Sequence, residues 1–234
     1  MKVLFIGNSH TFFNDMPELF ARFCGLDREK PEVTMLAYPG KYLDWHMQEY
    51  FPTRFNILYG GYDYCIIQQG AHPFPEVKST FTNAKRIIEL CRTAGTKPVI
   101  VMTWAEKRFP ENQQKMIDCY TKLAAETGAL LSPVGRIWQK LQKTNPEIEL
   151  YWKDGEHASV YGDYLIAACD YAVVTGKTDL DLPAVGLDFF GDLDLGENFK
   201  VLEDPAQCGI TLDPEKTKVI LAAISEELKN LQEE

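Results

Sequence analysis

Short apolar runs alternate with longer amphipathic segments along most of the chain. Each run is bounded by Gly, Pro or polar residues and is too short for a typical helix, a pattern that indicates strands buried on both faces of a parallel sheet. The predicted strands are residues 3–6, 33–37, 64–68, 99–103 and 129–134.

The segments between these runs have helical periodicity. In the stretch that begins at Phe81, the apolar residues Ala84, Ile87, Ile88 and Cys91 share one face, and charged residues occupy the other. The predicted helices are residues 16–24, 42–50, 79–94, 111–127, 134–143, 159–175 and 214–232. This repetition of strand and helix predicts the α/β class, as a three-layer α/β/α sandwich around a five-stranded parallel sheet.

One segment does not fit the alternation. Residues 176–212 have no sustained period, are rich in Asp and Gly, and contain the aromatic residues Phe189, Phe190 and Phe199. Such a long irregular segment is either a lid or docking surface, or an extension that wraps the edge of the sheet. We expect one domain over residues 1–234, with this extension followed by a C-terminal helix in 213–232.

Composition narrows the class of protein. A content of 45% hydrophobic residues fits an ordinary globular chain. The formal net charge of -10 argues against nucleic acid as a partner, because binding to phosphates needs clustered Lys and Arg. No apolar run approaches 18 residues, so we expect no membrane span. The six cysteines form no Cys-x-x-Cys pair and the N-terminus lacks a secretory signal, which predicts reduced cysteines and a cytoplasmic location.

Polar residues follow the predicted strands at one edge of the sheet. A Gly-Asn-Ser turn at 7–9 follows the first strand, Gly40 follows the second, and 68–70 follow the third. Asp154 and His157 directly precede the helix predicted at 159–175. Ligands bind beyond the carboxyl ends of strands in such sheets, so we expect these residues to converge.

Serine, aspartate and histidine in this order are the residue types of an acyl-transfer site. Ser9 would be the nucleophile, His157 the general base and Asp154 the carboxylate that orients it. Each signal alone is weak, since Ser and Asp also cap helices. An alternative is a binding module that holds phosphate through the hydroxyls of Ser9 and Thr11, but it leaves Asp154 and His157 unexplained. The Gly-x-Ser-x-Gly elbow of α/β-hydrolases is absent.

The motifs together resemble the SGNH (GDSL-type) hydrolase superfamily. The matching blocks are strand-Gly-Asn-Ser at 5–9, Gly40, and Asp154-x-x-His157. An Ala-Gly-x-x-Pro-x-x-x-x-x-Trp-Ala stretch at 94–105 is similar to a bacterial subgroup. The resemblance covers residues 1 to about 175 and implies a flavodoxin-like sheet and small-molecule ester substrates, with no metal or organic cofactor required.

The resemblance also implies an oxyanion hole. The backbone N–H groups of Ser9 and Gly40 would be two donors. The superfamily normally adds an Asn amide in a Gly-x-Asn block, but here Gly70 is followed by His72 in the Asn position. We favour the amide of Gln68 as the third donor, with Gln69 or His72 as alternatives.

Two further residues are candidates for substrate binding. Trp104 follows the fourth strand at the active edge, where it would either stack on a sugar ring or belong to the core. His10 follows the predicted nucleophile and would either line the pocket or cap the first helical turn. The sequence therefore predicts a serine esterase for small esters, O-acetyl carbohydrates among them. The alternatives are an acyltransferase and a catalytically silent relative with a ligand-binding or scaffolding role.

Overall fold

A five-stranded parallel sheet forms the middle layer of the computed structural model, which describes residues 1–188 and 209–233. Its strands are β1 (Lys2–Gly7), β2 (Glu32–Ala37), β3 (Tyr64–Gln68), β4 (Lys97–Val101) and β5 (Leu130–Ser132). They lie side by side in the order β2-β1-β3-β4-β5, and each neighbouring pair is parallel. The predicted α/β class and five-stranded parallel sheet are confirmed.

Helices cover both faces of this sheet. They are α1 (Ser9–Phe12), α2 (Met16–Gly25), α3 (Leu43–Gln48), α4 (Tyr50–Tyr59), α5 (Val77–Ala94), α6 (Asn112–Thr127), α7 (Val134–Thr144), α8 (Val160–Thr175) and α9 (Pro214–Glu233). All seven predicted helices begin and end within two residues of observed ones. None of the helices within the described residues is long and apolar enough to cross a membrane.

Strand β1 shows why the sheet is covered on both sides. Successive side chains of a strand point to opposite faces, and here Val3 and Phe5 pack in one apolar core while Leu4 and Ile6 pack in the other. Helices α2, α7, α8 and α9 close the first core, and α3 to α6 close the second. The result is the predicted three-layer sandwich, with the carboxyl ends of β1, β2 and β3 at one edge.

Two features differ from the sequence predictions. The helix predicted at 42–50 is α3, and a second helix that was not predicted, α4, directly follows it. Pro52 lies in the first turn of α4, where its missing N–H costs no hydrogen bond. The segment 176–212 was predicted to be irregular, but it contains the antiparallel strands β6 (Val185–Leu187) and β7 (Gly209–Thr211). Three-residue strands are too short to show a period in sequence. Phe189, Phe190 and Phe199 belong to residues 189–208, which lie outside the described residues. The choice between a lid and a wrapping extension concerns these residues and stays a prediction.

The cysteines of the described residues belong to the core. Cys24, Cys65, Cys91, Cys119 and Cys169 are all buried and free. Burial raises the pKa of the Cys24 thiol to about 12 and that of Cys119 to about 11. These thiols therefore stay protonated near neutral pH and serve as small apolar side chains.

A buried carboxyl group in α8 makes stability depend on pH. Asp170 is fully buried, and neither carboxyl oxygen has a hydrogen-bond partner among the described residues. Burial raises the pKa of Asp170 to about 7, and the nearby Ser132 hydroxyl offsets only part of that rise. The folded protein thus binds the proton of Asp170 more tightly than the unfolded chain does. This difference stabilises the folded state fully below about pH 4, and the stabilisation is lost as pH rises from about 4 through about 7.

We therefore expect Asp170→Asn to be more stable than the wild type at pH 8, by on the order of 2–4 kcal/mol, and to differ little at pH 4–5. Urea unfolding at both pH values measures this difference. Asp118→Asn, which removes an exposed carboxylate, is the control and should show no such crossover. An equal effect of Asp170→Asn at both pH values would mean that Asp170 does not hold a proton in the folded state.

Candidate active site

The nucleophile turn, residues 7–9 with the predicted nucleophile Ser9, joins β1 to α1 through the single residue Asn8. The side chain of Asn8 caps α1, since its Oδ1 accepts the backbone N–H of His10 at 3.0 Å. Position 7 must be glycine, because a Cβ there would lie 2.1 Å from Thr11 Oγ1. Ser9 is consequently the first residue of the helix, partly exposed at the carboxyl end of β1, as predicted.

The side chain of Ser9 forms one row of hydrogen bonds with two side chains from a distant part of the sequence, His157 and Asp154. The Oγ of Ser9 lies 2.9 Å from Nε2 of His157, 148 residues away. On the other side of the ring, Nδ1 of His157 lies 2.6 Å from Oδ2 of Asp154. Because a carboxylate only accepts, Nδ1 carries the ring proton, which leaves Nε2 free to accept the serine proton.

The turn that contains Asp154 keeps this carboxylate ionised. Its Oδ1 accepts the backbone N–H groups of Glu156 and His157 at 2.9 and 3.0 Å. Burial raises the pKa of Asp154, but the hydrogen bonds from the His157 ring and from the two backbone groups outweigh it and lower the pKa to about 2. Gly155, with φ of 74°, provides the left-handed conformation that this turn requires.

The loop after β2 is tied to the nucleophile turn. The backbone N–H of Tyr38 donates to the carbonyl of Gly7 at 3.2 Å, and Nδ2 of Asn8 donates to the carbonyl of Lys41 at 2.9 Å. Gly40 lies between these two ties with φ of 65°, a conformation that favours glycine. The predicted oxyanion donors, the backbone N–H groups of Ser9 and Gly40, therefore belong to adjacent and mutually fastened turns.

Gln68 does not have the geometry predicted for a third oxyanion donor. Its side chain is 3% exposed. Its Oε1 accepts from the Thr11 hydroxyl at 2.7 Å and from the Asn8 N–H at 3.3 Å, while Nε2 donates to the carbonyl of Gln69. Gln68 instead fixes the nucleophile turn by accepting these two hydrogen bonds, because it lies at the end of β3, the strand next to β1.

The two alternatives for the third donor are also engaged in the interior. Nε2 of Gln69 donates to the Thr80 hydroxyl at 3.2 Å, and its Oε1 accepts the N–H of Leu43 at 3.0 Å. The ring of His72 contacts His10 through Nδ1 at 2.9 Å, and its Nε2 donates to the carbonyl of Trp104 at 3.0 Å. In this conformation, none of the three predicted side chains turns a donor toward Ser9.

This arrangement changes the expected effect of Gln68→Ala. The variant leaves the Asn8 N–H and the Thr11 hydroxyl without an acceptor, so we expect a loss of about 1–3 kcal/mol in stability together with lower turnover, on the order of tenfold. Melting temperature and kcat measure the two effects. Gln69→Ala is the matched control, since it should lose stability but keep most turnover. A loss of 10²–10³ in turnover with an unchanged melting temperature would restore Gln68 as an oxyanion donor.

Trp104 and His10 are both buried, so neither has the substrate-binding role that was one of its two predicted roles. Trp104 is 1% exposed, its ring is stacked on Trp138 at 4.4 Å, and its Nε1 donates to the carbonyl of Glu156 at 2.9 Å. His10 is 8% exposed and packs against the ring of His157. Both residues instead pack against the segment that contains Glu156 and His157.

One residue that contacts the predicted base, His157, was not among the residues singled out from the sequence. Phe13, in the turn Phe13–Asp15 between α1 and α2, packs its ring against His157 with centroids 4.5 Å apart. An apolar residue four positions after Ser9 reads simply as core. Within residues 1–188 and 209–233, no group of three or more His, Cys, Asp or Glu side chains is placed to hold a metal ion.

Several solved structures with this fold are described as esterases or as lipolytic proteins. An acetylxylan esterase, Axe2 from Geobacillus stearothermophilus, is 13% identical with a TM-score of 0.62, covering 74% of this chain and 93% of its own. The esterase EstA from a Pseudoalteromonas species is 14% identical with a TM-score of 0.58, covering 75% and 97%. A G-D-S-L family lipolytic protein from Veillonella parvula is 15% identical with a TM-score of 0.57, covering 75% and 98%.

No family model matches the chain, and no curated protein matches its sequence. The likeness is therefore one of fold, and at this level the predicted resemblance to SGNH (GDSL-type) hydrolases is confirmed. The chain shares the fold class of these structures, with helices on both sides of a five-stranded parallel sheet.

Proposed function

We propose that this chain is a serine esterase of the SGNH type. The observation that carries the proposal is the row of hydrogen bonds from Ser9 through His157 to Asp154, at 2.9 and 2.6 Å. A nucleophile, a base of defined tautomer and an ionised carboxylate in one line are the parts that acyl transfer requires. Esterases among the structures with the same fold support the same class of activity.

The chemistry would proceed in two steps. Ser9 Oγ attacks the ester carbonyl while His157 Nε2 takes its proton, and Asp154 stabilises the resulting imidazolium. Backbone N–H groups of Ser9 and Gly40 donate to the oxyanion. The intermediate then collapses, His157 returns the proton to the departing alcohol oxygen, and an acyl-Ser9 ester remains. Water activated by His157 cleaves that ester and releases the acid; an alcohol in place of water would make the reaction an acyl transfer.

For the substrate we propose small esters, with O-acetylated carbohydrates as the first class to examine. A structure that shares the fold is described as an acetylxylan esterase. A direct test is hydrolysis of p-nitrophenyl acetate, butyrate and octanoate, together with acetylated xylo-oligosaccharides. We expect turnover of the acetyl compounds to exceed that of octanoate. Absence of turnover above buffer with every ester would contradict the proposal.

One observation favours a second candidate, a catalytically silent ligand-binding protein. The side chains of Gln68, Gln69 and His72 are all engaged elsewhere, so the oxyanion would rely on two backbone donors. Loss of one donor typically costs 10²–10³ in turnover, which predicts a slow esterase. A silent protein would show no covalent labelling of Ser9, whereas a slow esterase would still be labelled.

A further inference from the structure

All four histidines of the chain lie at the candidate active site. His157 is the proposed base, and Nε2 of His46 donates to the carbonyl of Gly7 at 2.8 Å, just before the nucleophile turn. The other two, His10 and His72, take no part in the proposed proton transfers. The contacts of His10 with His72 and with the ring of His157 indicate a separate role.

The imidazole of His157 is held between two aromatic rings. On one face the ring of His10 is nearly parallel to it, with centroids 4.5 Å apart and planes at 8°. The ring of Phe13 is also stacked on it, with centroids 4.5 Å apart and planes at 24°. Two rings this close to the same imidazole would overlap on one face, so Phe13 lies on the other face. Both rings come from the segment directly after Ser9. The same segment therefore carries the nucleophile and fixes the plane in which the base points toward Ser9 and Asp154.

The His10 ring is fixed in turn by a row of contacts that leads away from His157. Asn8 Oδ1 lies 3.2 Å from His10 Nδ1, and His10 Nε2 lies 2.9 Å from His72 Nδ1. The row ends where His72 Nε2 lies 3.0 Å from the carbonyl oxygen of Trp104. Two imidazoles are thus held between two oxygens.

The protons in this row can be counted. Both end atoms are acceptors, because a carbonyl has no proton and the Asn8 amide is oriented by the bond from its Nδ2 to Lys41. Three contacts between two acceptors need three protons, whereas two neutral imidazoles supply two. The contact left without one is the longest, at Asn8 Oδ1, which already accepts the His10 backbone N–H. His10 and His72 are then both Nε2–H tautomers.

We propose that His10 is a positioning residue for the His157 base. It holds the plane of the imidazole, and its uncharged face stabilises the imidazolium that forms when His157 takes the Ser9 proton. A cation over an aromatic face is attracted by the ring electrons. Since His157 becomes charged only as the reaction proceeds, this attraction lowers the barrier rather than improving substrate binding. The inference rests on the proposed function.

The role requires a neutral His10, and its surroundings provide one. Burial lowers the pKa of His10 well below the ordinary value, and the charges of His157 and His72 lower it further. The charge of Asp154 and the carbonyl of Glu156 act in the opposite direction without offsetting burial. A neutral ring does not repel the imidazolium stacked on it.

His72 is neutral for the same reason. Burial lowers the pKa of His72 to about 4 against the opposing effects of the Trp104 carbonyl and the Glu106 carboxylate. Glu106 itself is paired with Arg108 at 2.7 Å, which limits its effect on the histidine ring. At neutral pH, therefore, His72 serves as the acceptor for His10 and adds no positive charge behind it.

The test compares His10→Phe with His10→Leu. Both variants lose the hydrogen bond to His72 Nδ1, so the difference between them reports on the aromatic face alone. We expect His10→Phe to keep kcat for p-nitrophenyl acetate within about fivefold of the wild type, and His10→Leu to lose a further factor on the order of ten, with KM nearly unchanged. Melting temperatures of both variants show whether the fold is intact.

The pH profile separates this role from a purely structural one. Without the aromatic face the imidazolium is less stable, so the acid limb of kcat should move to lower pH in His10→Leu, by about half to one unit, and should stay in place in His10→Phe. Phe13→Leu, on the opposite face of His157, should move the limb in the same direction. It provides a second measurement if His10→Leu does not fold.

Equal kcat values and equal acid limbs for His10→Phe and His10→Leu would overturn the inference. So would a Phe13→Leu variant with an unchanged profile, if His10→Leu is unfolded. A wild-type protein with no esterase activity would instead overturn the proposed function. In that case the protonation of His157 would be monitored by NMR of its imidazole in the wild type and in His10→Leu. The same midpoint in both proteins would overturn the stacking role independently of activity.

Discussion

Ser9→Ala should abolish ester hydrolysis while the protein remains folded. We expect kcat for p-nitrophenyl acetate to fall by on the order of 10⁴ or more, because no other group in the row can form the acyl intermediate. The fold should survive since the cap of α1 is Asn8, not Ser9. The loss of one hydroxyl should change stability by less than about 1 kcal/mol, or roughly 3 °C in melting temperature.

The control for this variant is Ser225→Ala. Ser225 lies on α9 and its hydroxyl donates to the carbonyl of Leu221 at 2.9 Å, away from the candidate site. It should leave turnover unchanged. Retention of more than about a hundredth of the wild-type rate in Ser9→Ala would move the nucleophile to another residue.

Asp154→Asn should cause the second large loss, on the order of 10³–10⁴ in kcat, with little change in KM. The new amide oxygen can still accept the backbone N–H groups of Glu156 and His157, as Asp154 Oδ1 does now. Its NH₂ group then faces Nδ1 of His157 and donates to it. The ring proton must move to Nε2, where the histidine can no longer accept the proton of Ser9.

Asp44→Asn tests whether loss of negative charge alone explains such a defect. Asp44 is an exposed carboxylate of α3 at the same edge of the sheet, and its Oδ1 accepts the backbone N–H of Trp45. We expect its kcat to stay within about threefold of the wild type. An Asp154→Asn variant with more than a tenth of the wild-type kcat would show that the tautomer of His157 does not limit the reaction.

The fold and the positions of Ser9, Asp154 and His157 were predictable because both follow from patterns that are visible in the sequence. Apolar runs bounded by turn residues located the strands, and the order of strands and helices placed their carboxyl ends at one edge. Ser9 and the Asp154 to His157 pair then converged because each directly follows or precedes an element at that edge. Here, backbone topology alone decides position.

Side-chain direction was not predictable in the same way. Gln68 lies at the end of a strand that could present its amide outward, yet two polar groups of the nucleophile turn draw it inward. Trp104 follows β4 at the active edge, but the ring of Trp138 and the carbonyl of Glu156 hold it in the core. Such choices depend on partners distant in sequence, which periodicity and spacing do not record.

Covalent labelling of the nucleophile tests the central claim most directly. The wild-type protein, Ser9→Ala and Asp154→Asn would each be treated with a fluorophosphonate, digested and analysed by mass spectrometry. The hydrogen bonds among Ser9, His157 and Asp154 predict one phosphonyl adduct on Ser9 of the wild type, none in Ser9→Ala, and much slower formation in Asp154→Asn. An adduct on a different serine, or no adduct on the folded wild-type protein, would contradict the assignment of Ser9 as an activated nucleophile.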